Sequence, residues 1–472
     1  MSKRKLMGGL WLLAMTACAG ELNIAYPSPY TLVQRDSATE GTIRVRGSFP
    51  EARRPETMEA CFGGGAWQTL AGRITTNAFE GVLKAPVGQG VLQVRGVGGN
   101  GGALTATVAC VGVGDLFVIA GQSNADGRGD RLARLDPANP YVGVKFRKGV
   151  WSEGSDPATN DGEASGSPWP LVLNCVIPDQ KVPVGYITAA IGSTVVKQWR
   201  RGSGDPRKWG FGSMYVGMRE MVRTATDGSM RIRAVLYHQG ENDLTHYNGL
   251  SVQGDYKEYK ENLMAMVSEY WEDFKAPVLV GQITNLGGDR QRNDAIRQVQ
   301  QEVWREHPHA LPGAVTYDIR PSDGVHYRDE ASMRVYAGRW SSALLSGLYG
   351  REGRAAPRWV SLRKTGAKQL TLTCDQPLVL AAWDGRAGTN ADGFRLMDGA
   401  QAWAGAQGMS AALGGKVLVL AFAADVPASL RVWYGSGADG QGKTVLRSAA
   451  TGLPMPLLFG RALDAEGDAP SF

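Results

Sequence analysis

The sequence predicts an α/β protein: a central parallel sheet covered by helices on both faces, flanked by an N-terminal and a C-terminal β-sandwich-like domain. Three observations support this. The 472 residues are too many for one ordinary core. The 63 glycines and 23 prolines indicate many turns. The spacing of hydrophobic residues along the chain changes near residue 113 and again near residue 350, which predicts domain boundaries at those positions.

Residues 1–19 are expected to be an export signal. Lys3–Lys5 form a basic start, and Leu6–Ala14 form an apolar run of signal-peptide length that is too short to span a bilayer. Met15–Cys18 resembles a bacterial lipoprotein processing site, with Met15 where leucine is usual, and cleavage after Ala17 or Ala19 is the alternative. We therefore expect an exported protein that is periplasmic, extracellular or lipid-anchored through Cys18 at the cell envelope. Such an anchor is its sole expected membrane contact.

The N-terminal β domain is predicted at residues 20–112. Runs such as Gly41–Gly47 and Gly90–Arg95 alternate apolar and polar residues, as half-buried antiparallel strands do. Cys61 and Cys110 fall within this domain, and because export permits disulfides they are the first pair to test.

The central domain is predicted at residues 113–350, where apolar strand candidates alternate with helical patterns. That alternation is typical of a parallel sheet covered by helices. The strand candidates are Leu116–Ala120, Val184–Thr188, Ile232–Tyr237, Pro277–Gly281 and Gly313–Asp318, and the helical stretches are about 211–225, 256–274, 288–306 and 329–348. Residues 351–472 return to short β runs such as Gln369–Thr373 and form the C-terminal β domain.

Charge and cysteine spacing argue against a nucleic-acid partner and against a structural zinc site. The net charge is +6, but Lys and Arg are scattered and form no basic run outside the leader, so no nucleic-acid partner is expected. The chain has five cysteines and no C-x-x-C motif, so a structural zinc is not expected.

A candidate nucleophile follows the first strand of the central domain. Leu116–Ala120 runs directly into Gly121–Asn124 (GQSN), which places Ser123 at the carboxyl end of a buried strand beside a glycine that permits a tight turn. Ala125 stands where the G-x-S-x-G motif has its last glycine, so this is not an α/β-hydrolase elbow. Taken alone, a plain serine turn explains the segment equally well.

A candidate base follows the last strand of the same domain. Of five histidines, His326 lies in the short loop Asp323–His326, just before the final helix. Asp323 is expected either to orient the imidazole or to hold the loop. In isolation, a loop histidine bonded to neighbouring backbone would be the better interpretation.

Two further strand ends carry suitable polar groups. In His238–Asp243, Gln239 is able to donate to a developing oxyanion and Glu241 is able to accept a hydrogen bond from a histidine. A metal site at His238 and Glu241 lacks a third ligand and the H-E-x-x-H spacing. In Ala190–Thr194, the N–H of Gly192 is a second oxyanion donor candidate. The carboxyl ends of parallel strands share one edge of a sheet, so these groups are expected to lie together.

These blocks resemble those of the SGNH hydrolases, and within them the sialate O-acetylesterase-like and acetylxylan-esterase-like group. The matching segments are Gly121–Asn124, Ile191–Thr194 with Gln198 and Trp199, His238–Glu241 and Asp323–His326. The resemblance covers residues from about 112 to 350 and implies a flavodoxin-like three-layer α/β/α domain.

The resemblance also implies roles for individual residues. Ser123 would be the nucleophile, His326 the base, and the oxyanion hole would combine the N–H groups of Ser123 and Gly192 with the side chain of Gln239. The triad acid stays open, because Asp323 fits the general SGNH pattern while Glu241 is favoured in some carbohydrate acetylesterases.

The implied activity is hydrolysis of O-acetyl esters on carbohydrates through an acyl-serine intermediate, without metal or cofactor. The partner would be an acetylated glycan or sugar. Four residues, Gln122, Asn124, Trp199 and Arg200, are expected to bind it; a core position is the rival interpretation for Trp199. Two alternative functions remain: a lipid esterase or thioesterase of the same superfamily, and a carbohydrate-binding protein whose esterase site has decayed.

Overall fold

The computed structural model describes residues 22–99, 104–161, 165–202, 205, 208–244, 250, 252, 255–284, 290–382, 393–435 and 444–466. The leader and Cys18 lie outside the described residues, so export and lipid anchoring stay predictions. No helix of the described part of the chain is both long enough and apolar enough to span a bilayer.

The N-terminal part is a sandwich of short antiparallel strands. Alternate residues of its long strands face inward, as Ile43 and Val45 do, and they form one core with Leu83 and Leu92. Its strands are β1 Asn23–Tyr26, β2 Leu32–Gln34, β3 Glu40–Ser48, β4 Thr57–Phe62, β5 Gln68–Thr69, β6 Ala71–Ile74, β7 Ala78–Pro86 and β8 Gly88–Val97. Both cysteines suggested as a disulfide pair, Cys61 and Cys110, are free thiols.

One long strand, β9 Leu104–Gly121, joins the sandwich to the central sheet. Its first half pairs with β8 in antiparallel register, whereas its second half pairs with strands of the central sheet in parallel register. The predicted boundary between residues 112 and 113 therefore falls inside a continuous strand.

The central sheet confirms the predicted α/β class. Its further strands are β10 Val144–Arg147, β11 Val150–Glu153, β12 Val184–Thr188, β13 Ala234–His238, β14 Val278–Gln282 and β15 Ala310–Val315. The strand order is β11-β10-β12-β9-β13-β14-β15, and apart from the β10–β11 pair all neighbours are parallel. The run from β12 to β15 is the flavodoxin-like order, in which the chain changes direction across the sheet at β9. Ligands of such sheets bind beyond the carboxyl end of that strand, which is where Ser123 lies.

Helices cover both faces of the sheet. They are α1 Ser123–Asp126, α2 Trp169–Gln180, α3 Ser213–Ala225, α4 Tyr256–Phe274, α5 Arg290–Glu306 and α6 Glu330–Gly347. Val222 of α3, Leu263 of α4 and Val303 of α5 share one core, whereas Val172 of α2 and Leu344 of α6 share the other. Each face of the sheet therefore has its own apolar layer, and the domain has three layers.

The C-terminal part is built from short antiparallel strands around a core of its own. They are β16 Trp359–Gly366, β17 Gln369–Cys374, β18 Leu378–Ala382, β19 Phe394–Asp398, β20 Gln401–Ala402, β21 Ser410–Gly414, β22 Val417–Ala421, β23 Leu430–Tyr434, β24 Thr444–Ser448, β25 Leu458–Ala462 and β26 Ala465–Glu466. Arg447 of β24 reaches the buried Asp318 carboxylate at 2.7 Å, and Arg339 reaches the same oxygen at 2.8 Å. This β domain thus packs directly behind the loop that carries Asp323 and His326.

Candidate active site

Ser123 lies where β9 turns into α1. Gly121 makes this turn with a φ of +116°, which favours glycine. A Cβ at Gly121 would lie 2.1 Å from the carbonyl oxygen of His238 on the neighbouring strand, so no side chain fits there. Ser123 is the first residue of α1, where the backbone N–H has no partner within the helix.

The structure brings Ser123, His326 and Asp323 together in one line. Ser123 Oγ lies 3.0 Å from His326 Nε2, and His326 Nδ1 lies 2.9 Å from Asp323 Oδ2. The other carboxylate oxygen of Asp323 accepts the backbone N–H groups of Val325 at 2.9 Å and His326 at 2.6 Å. Asp323 therefore fixes the loop and the imidazole at once, so that Nδ1 faces the carboxylate and Nε2 faces the hydroxyl.

The ionisation of Asp323 suits this position. Partial burial alone would raise its pKa, but hydrogen bonds from the backbone and side chain of His326 and from the backbone of Val325 outweigh burial and lower it. The carboxyl group is therefore charged at neutral pH and able to stabilise a protonated imidazole.

Glu241 does not contact His326 in this structure. Its side chain is 2% exposed, and Oε1 accepts a hydrogen bond from Asn124 Nδ2 at 2.9 Å and lies 3.5 Å from His238 Nε2. Burial would raise the pKa of Glu241, but its contacts with His238 and Asn124 lower it. Of the two acids left open by the sequence, the geometry places Asp323 against the imidazole.

Asn124 links Glu241 to the catalytic loop. Besides donating to Glu241, its Nδ2 donates to the carbonyl oxygen of Val325 at 3.1 Å. Asn124 is 3% exposed and both of its amide hydrogens are used, so the structure does not support the predicted substrate contact through that amide. Asn124 instead fixes the position of Val325, the residue before His326, relative to the turn that carries Ser123.

Gln239 does not fit the predicted role in the oxyanion hole. It is fully buried, and its Nε2 donates to Asp243 Oδ2 at 2.6 Å and to the carbonyl oxygen of Thr194 at 3.0 Å. A side-chain amide has two hydrogens, and here both point into the protein. The structure therefore corrects this prediction: Gln239 ties the loop after β13 to the loop after β12.

Gln122 also holds the loop after β13 in place. Its Oε1 accepts the backbone N–H groups of Gly240 and Asn242, each at 3.3 Å. Its Nε2 makes no hydrogen bond within the described part of the chain, so a substrate contact by Gln122 stays a prediction.

Gly192 lies at the end of the strand next to Ser123, as predicted, but its N–H has a partner. It donates to Asp161 Oδ2 at 3.2 Å. Asp161 in turn pairs with Arg128, which also binds Asp126 at 2.7 Å. Sequence reasoning missed these three residues. Asp126 and Arg128 follow GQSN closely and were within its reach, whereas Asp161 comes from a long loop before α2 that no strand end marks.

Trp199 belongs to the protein core, and Arg200 is held against a neighbouring helix. Trp199 is fully buried, donates from Nε1 to Thr194 Oγ1 at 3.0 Å and packs edge-on against Tyr237. Arg200 is held in an ion pair with Glu269 of α4 at 2.8 Å. The prediction that Trp199 lines the sugar side of the cleft is wrong, and the rival interpretation of Trp199 as a core residue is confirmed. A sugar contact by Arg200, whose side chain is 21% exposed, stays a prediction.

Trp199→Ala is therefore expected to destabilise the fold by about 3–5 kcal/mol, because it leaves a large cavity and removes the hydrogen bond that Trp199 donates to Thr194 Oγ1. Urea unfolding of the full chain measures this. Trp209→Ala is the matched control, because Trp209 is 42% exposed and its loss should change the unfolding free energy by about 0.5 kcal/mol or less. A stable Trp199→Ala variant that loses sugar-ester hydrolysis alone would contradict the assignment to the core.

A second serine–histidine contact shows why the orientation of the ring matters. His307 Nε2 lies 2.8 Å from Ser268 Oγ, but His307 Nδ1 accepts the backbone N–H of His309 at 3.2 Å. Nε2 of a neutral His307 therefore carries the proton and cannot act as a base toward Ser268. Within the described residues, no group of three or more His, Cys, Asp and Glu side chains is arranged to hold a metal ion.

Comparison with known proteins shows what the central domain is similar to. Residues 113–340 match the model of the family described as carbohydrate esterase, sialic acid-specific acetylesterase. The match covers just under half of the chain. A probable carbohydrate esterase of Arabidopsis thaliana is 23% identical to this chain over 246 residues, covering 47% of this chain and 86% of the relative.

The likeness in fold extends beyond residues 113–340. A carbohydrate acetylesterase from Xanthomonas citri superposes on 91% of this chain and 97% of its own, with a TM-score of 0.62 and 18% identity. At that identity the likeness shows a shared fold. The predicted combination of a flavodoxin-like domain with flanking β domains is confirmed.

Proposed function

We propose that this protein is a serine esterase that removes O-acetyl groups from carbohydrates. The observation that carries the proposal is the line from Ser123 Oγ through His326 to Asp323, with contacts of 3.0 and 2.9 Å. A hydroxyl, an imidazole and a carboxylate in this order are the parts of an activated nucleophile.

In the first half of the proposed reaction, His326 Nε2 takes the proton of Ser123 while Oγ attacks the acetyl carbonyl carbon. Asp323 stabilises the imidazolium that forms. The backbone N–H groups of Ser123 and Gly192 donate to the oxyanion. The tetrahedral intermediate then releases the sugar oxygen, which takes the proton from His326 and leaves an acetyl-serine.

In the second half, water enters and loses a proton to His326 Nε2 as its oxygen attacks the acetyl-serine carbonyl. The same two N–H groups hold the second oxyanion. Collapse of this intermediate returns the proton to Ser123 Oγ and releases acetate. Each step uses groups of this chain and water alone.

The carbohydrate part of the proposal is supported by the family match of residues 113–340 and by the fold shared with a carbohydrate acetylesterase. The test is acetate release from acetylated xylan, acetylated pectin and O-acetylated sialic acid, together with hydrolysis of aryl acetate and aryl octanoate. We expect release from at least one glycan and aryl acetate hydrolysis at least about 100-fold faster than octanoate hydrolysis, because a methyl-sized acyl site excludes the longer chain. Faster octanoate hydrolysis, or no acetate from any glycan, would overturn the proposal in favour of a lipid esterase or thioesterase.

A further inference from the structure

The candidate oxyanion donor Gly192 is capped by a carboxylate of the same chain. Asp161 Oδ2 accepts the Gly192 N–H at 3.2 Å. A Cβ placed on Gly192 would lie 2.9 Å from that oxygen and 2.5 Å from Arg128 Nη2. The ion pair of Asp161 and Arg128 therefore lies directly against the N–H group that the proposed reaction needs.

The ion pair has a buried partner, Asp126, and a partly exposed member, Asp161. Arg128 is held by Asp126, whose side chain is 1% exposed, at 2.7 Å. The side chain of Asp161 is 19% exposed and that of Arg128 is 10% exposed. The buried carboxyl group of Asp126 thus fixes the guanidinium of Arg128, while the carboxylate of Asp161 is accessible to a ligand.

The charge of the cluster is close to balanced. Burial and the neighbouring Asp161 raise the pKa of Asp126 to about 7. The pKa of Asp161 is lowered: burial opposes this, but the hydrogen bond with Asp126 and the charge of Arg128 outweigh it. Near neutral pH, Asp161 is therefore the charged acceptor of the cluster and Arg128 its charged donor.

An acetyl oxygen held by Gly192 must take the place that Asp161 Oδ2 occupies in this structure. The displaced carboxylate, still beside Arg128, would then lie next to the ester. There, it would find a sugar hydroxyl on the ring carbon adjacent to the acetylated one. A hydroxyl both donates and accepts, so it is matched by a carboxylate and a guanidinium together.

We propose that Asp161 and Arg128 form the specificity-determining pair of this site. They bind the free hydroxyl adjacent to the acetylated sugar oxygen, and Asp161 leaves Gly192 when the acetyl group arrives. This inference rests on the proposed esterase function. It predicts a preference for mono-O-acetyl sugars that retain a free neighbouring hydroxyl over fully acetylated sugars.

Asp161→Ala in the full-length protein tests this with effects of opposite sign. For an aryl acetate, which has no hydroxyl to bind, kcat/KM should rise about three- to tenfold because the Gly192 N–H is no longer capped. For a mono-O-acetyl pyranoside with a free neighbouring hydroxyl, kcat/KM should fall at least about tenfold because a hydrogen bond to a charged group is lost. The preference over the fully acetylated sugar should disappear with it.

Two further variants keep the test decisive. Asp161→Asn preserves the shape of the side chain and removes its charge. It should change kcat/KM for each substrate in the same direction as Asp161→Ala does, but by a smaller factor. Asp179→Ala is the matched control. Asp179 lies on α2, has a similarly exposed side chain (22%) and also pairs with an arginine, Arg351, at 3.0 Å. It should change neither rate.

Equal losses on both substrates in the two Asp161 variants would show a structural role alone and overturn the inference. Unchanged rates on both substrates would overturn it as well. Failure of the esterase proposal would look different, because the wild-type protein would then hydrolyse neither the aryl acetate nor the sugar ester.

Discussion

Ser123→Ala should lower kcat/KM for aryl acetate and for acetylated sugars by roughly 10⁵-fold, which is the scale of loss when a serine nucleophile is removed from a working triad. The reason is that no other hydroxyl is placed at 3.0 Å from His326 Nε2 within the described residues. The small change in volume at a position 6% exposed leaves the fold intact. Initial rates of acetate release at matched enzyme concentration measure the effect.

Ser268→Ala is the matched control for this variant. Ser268 also contacts a histidine ring, at 2.8 Å, but His307 there presents a proton rather than a lone pair. Its rate should stay within about twofold of the wild type, since distant surface changes rarely alter a site. Retention of activity by Ser123→Ala would reject every form of the serine mechanism.

Asp323→Asn should lower kcat by about 10³- to 10⁴-fold with little change in KM. An amide placed at the carboxylate position can present N–H to His326 Nδ1, which would hold the ring in the tautomer with its proton on Nε2 and remove the base. The loop should remain in place if the amide oxygen keeps the Val325 and His326 N–H groups, which Asp323 Oδ1 accepts in this structure. Steady-state kinetics and thermal unfolding of the same sample separate the catalytic loss from a folding loss.

Glu241→Gln serves as the comparison, because the sequence left both acids open. Glu241 contacts Asn124 and His238 rather than His326, so it acts as a positioning residue. We expect a fall in kcat of about tenfold together with a lower unfolding temperature, since weakening a buried hydrogen bond to a charged group destabilises the native state. A loss as large as that of Asp323→Asn, in a stably folded variant, would make Glu241 the acid instead.

The strands and helices that place the site were largely readable from the sequence. Val184–Thr188 was predicted with the bounds the structure has, and α4 and α6 were predicted to within a residue at each end. Buried parallel strands are short apolar runs, and amphipathic helices repeat every 3.6 residues, so both leave a strong local signal. The same signal was absent from α2, where Pro178 lies inside the helix and apolar residues occur on several faces.

The bounds of β15 were not predictable from local residue patterns. The sequence predicted Gly313–Asp318, whereas the observed strand Ala310–Val315 begins earlier, because pairing with β14 starts at Ala310. Where a strand ends depends on what its neighbour offers for hydrogen bonding, which is a property of two distant segments. The loop after β15 still carries Asp323 and His326 to the predicted edge of the sheet.

By itself, the sequence determined which chemical groups meet at the carboxyl edge of the sheet, because strand order and strand polarity bring the ends of β9, β12, β13 and β15 to one side. It did not determine which way each side chain there points. The tertiary structure decided that Asp323 faces His326, that Glu241 and Gln239 face inward, and that Trp199 belongs to the core. It also brought Asp161 to Gly192 from a loop outside every recognised block. Side-chain direction depends on partners that are far apart in the chain, whereas local residue patterns report only on the backbone that carries them.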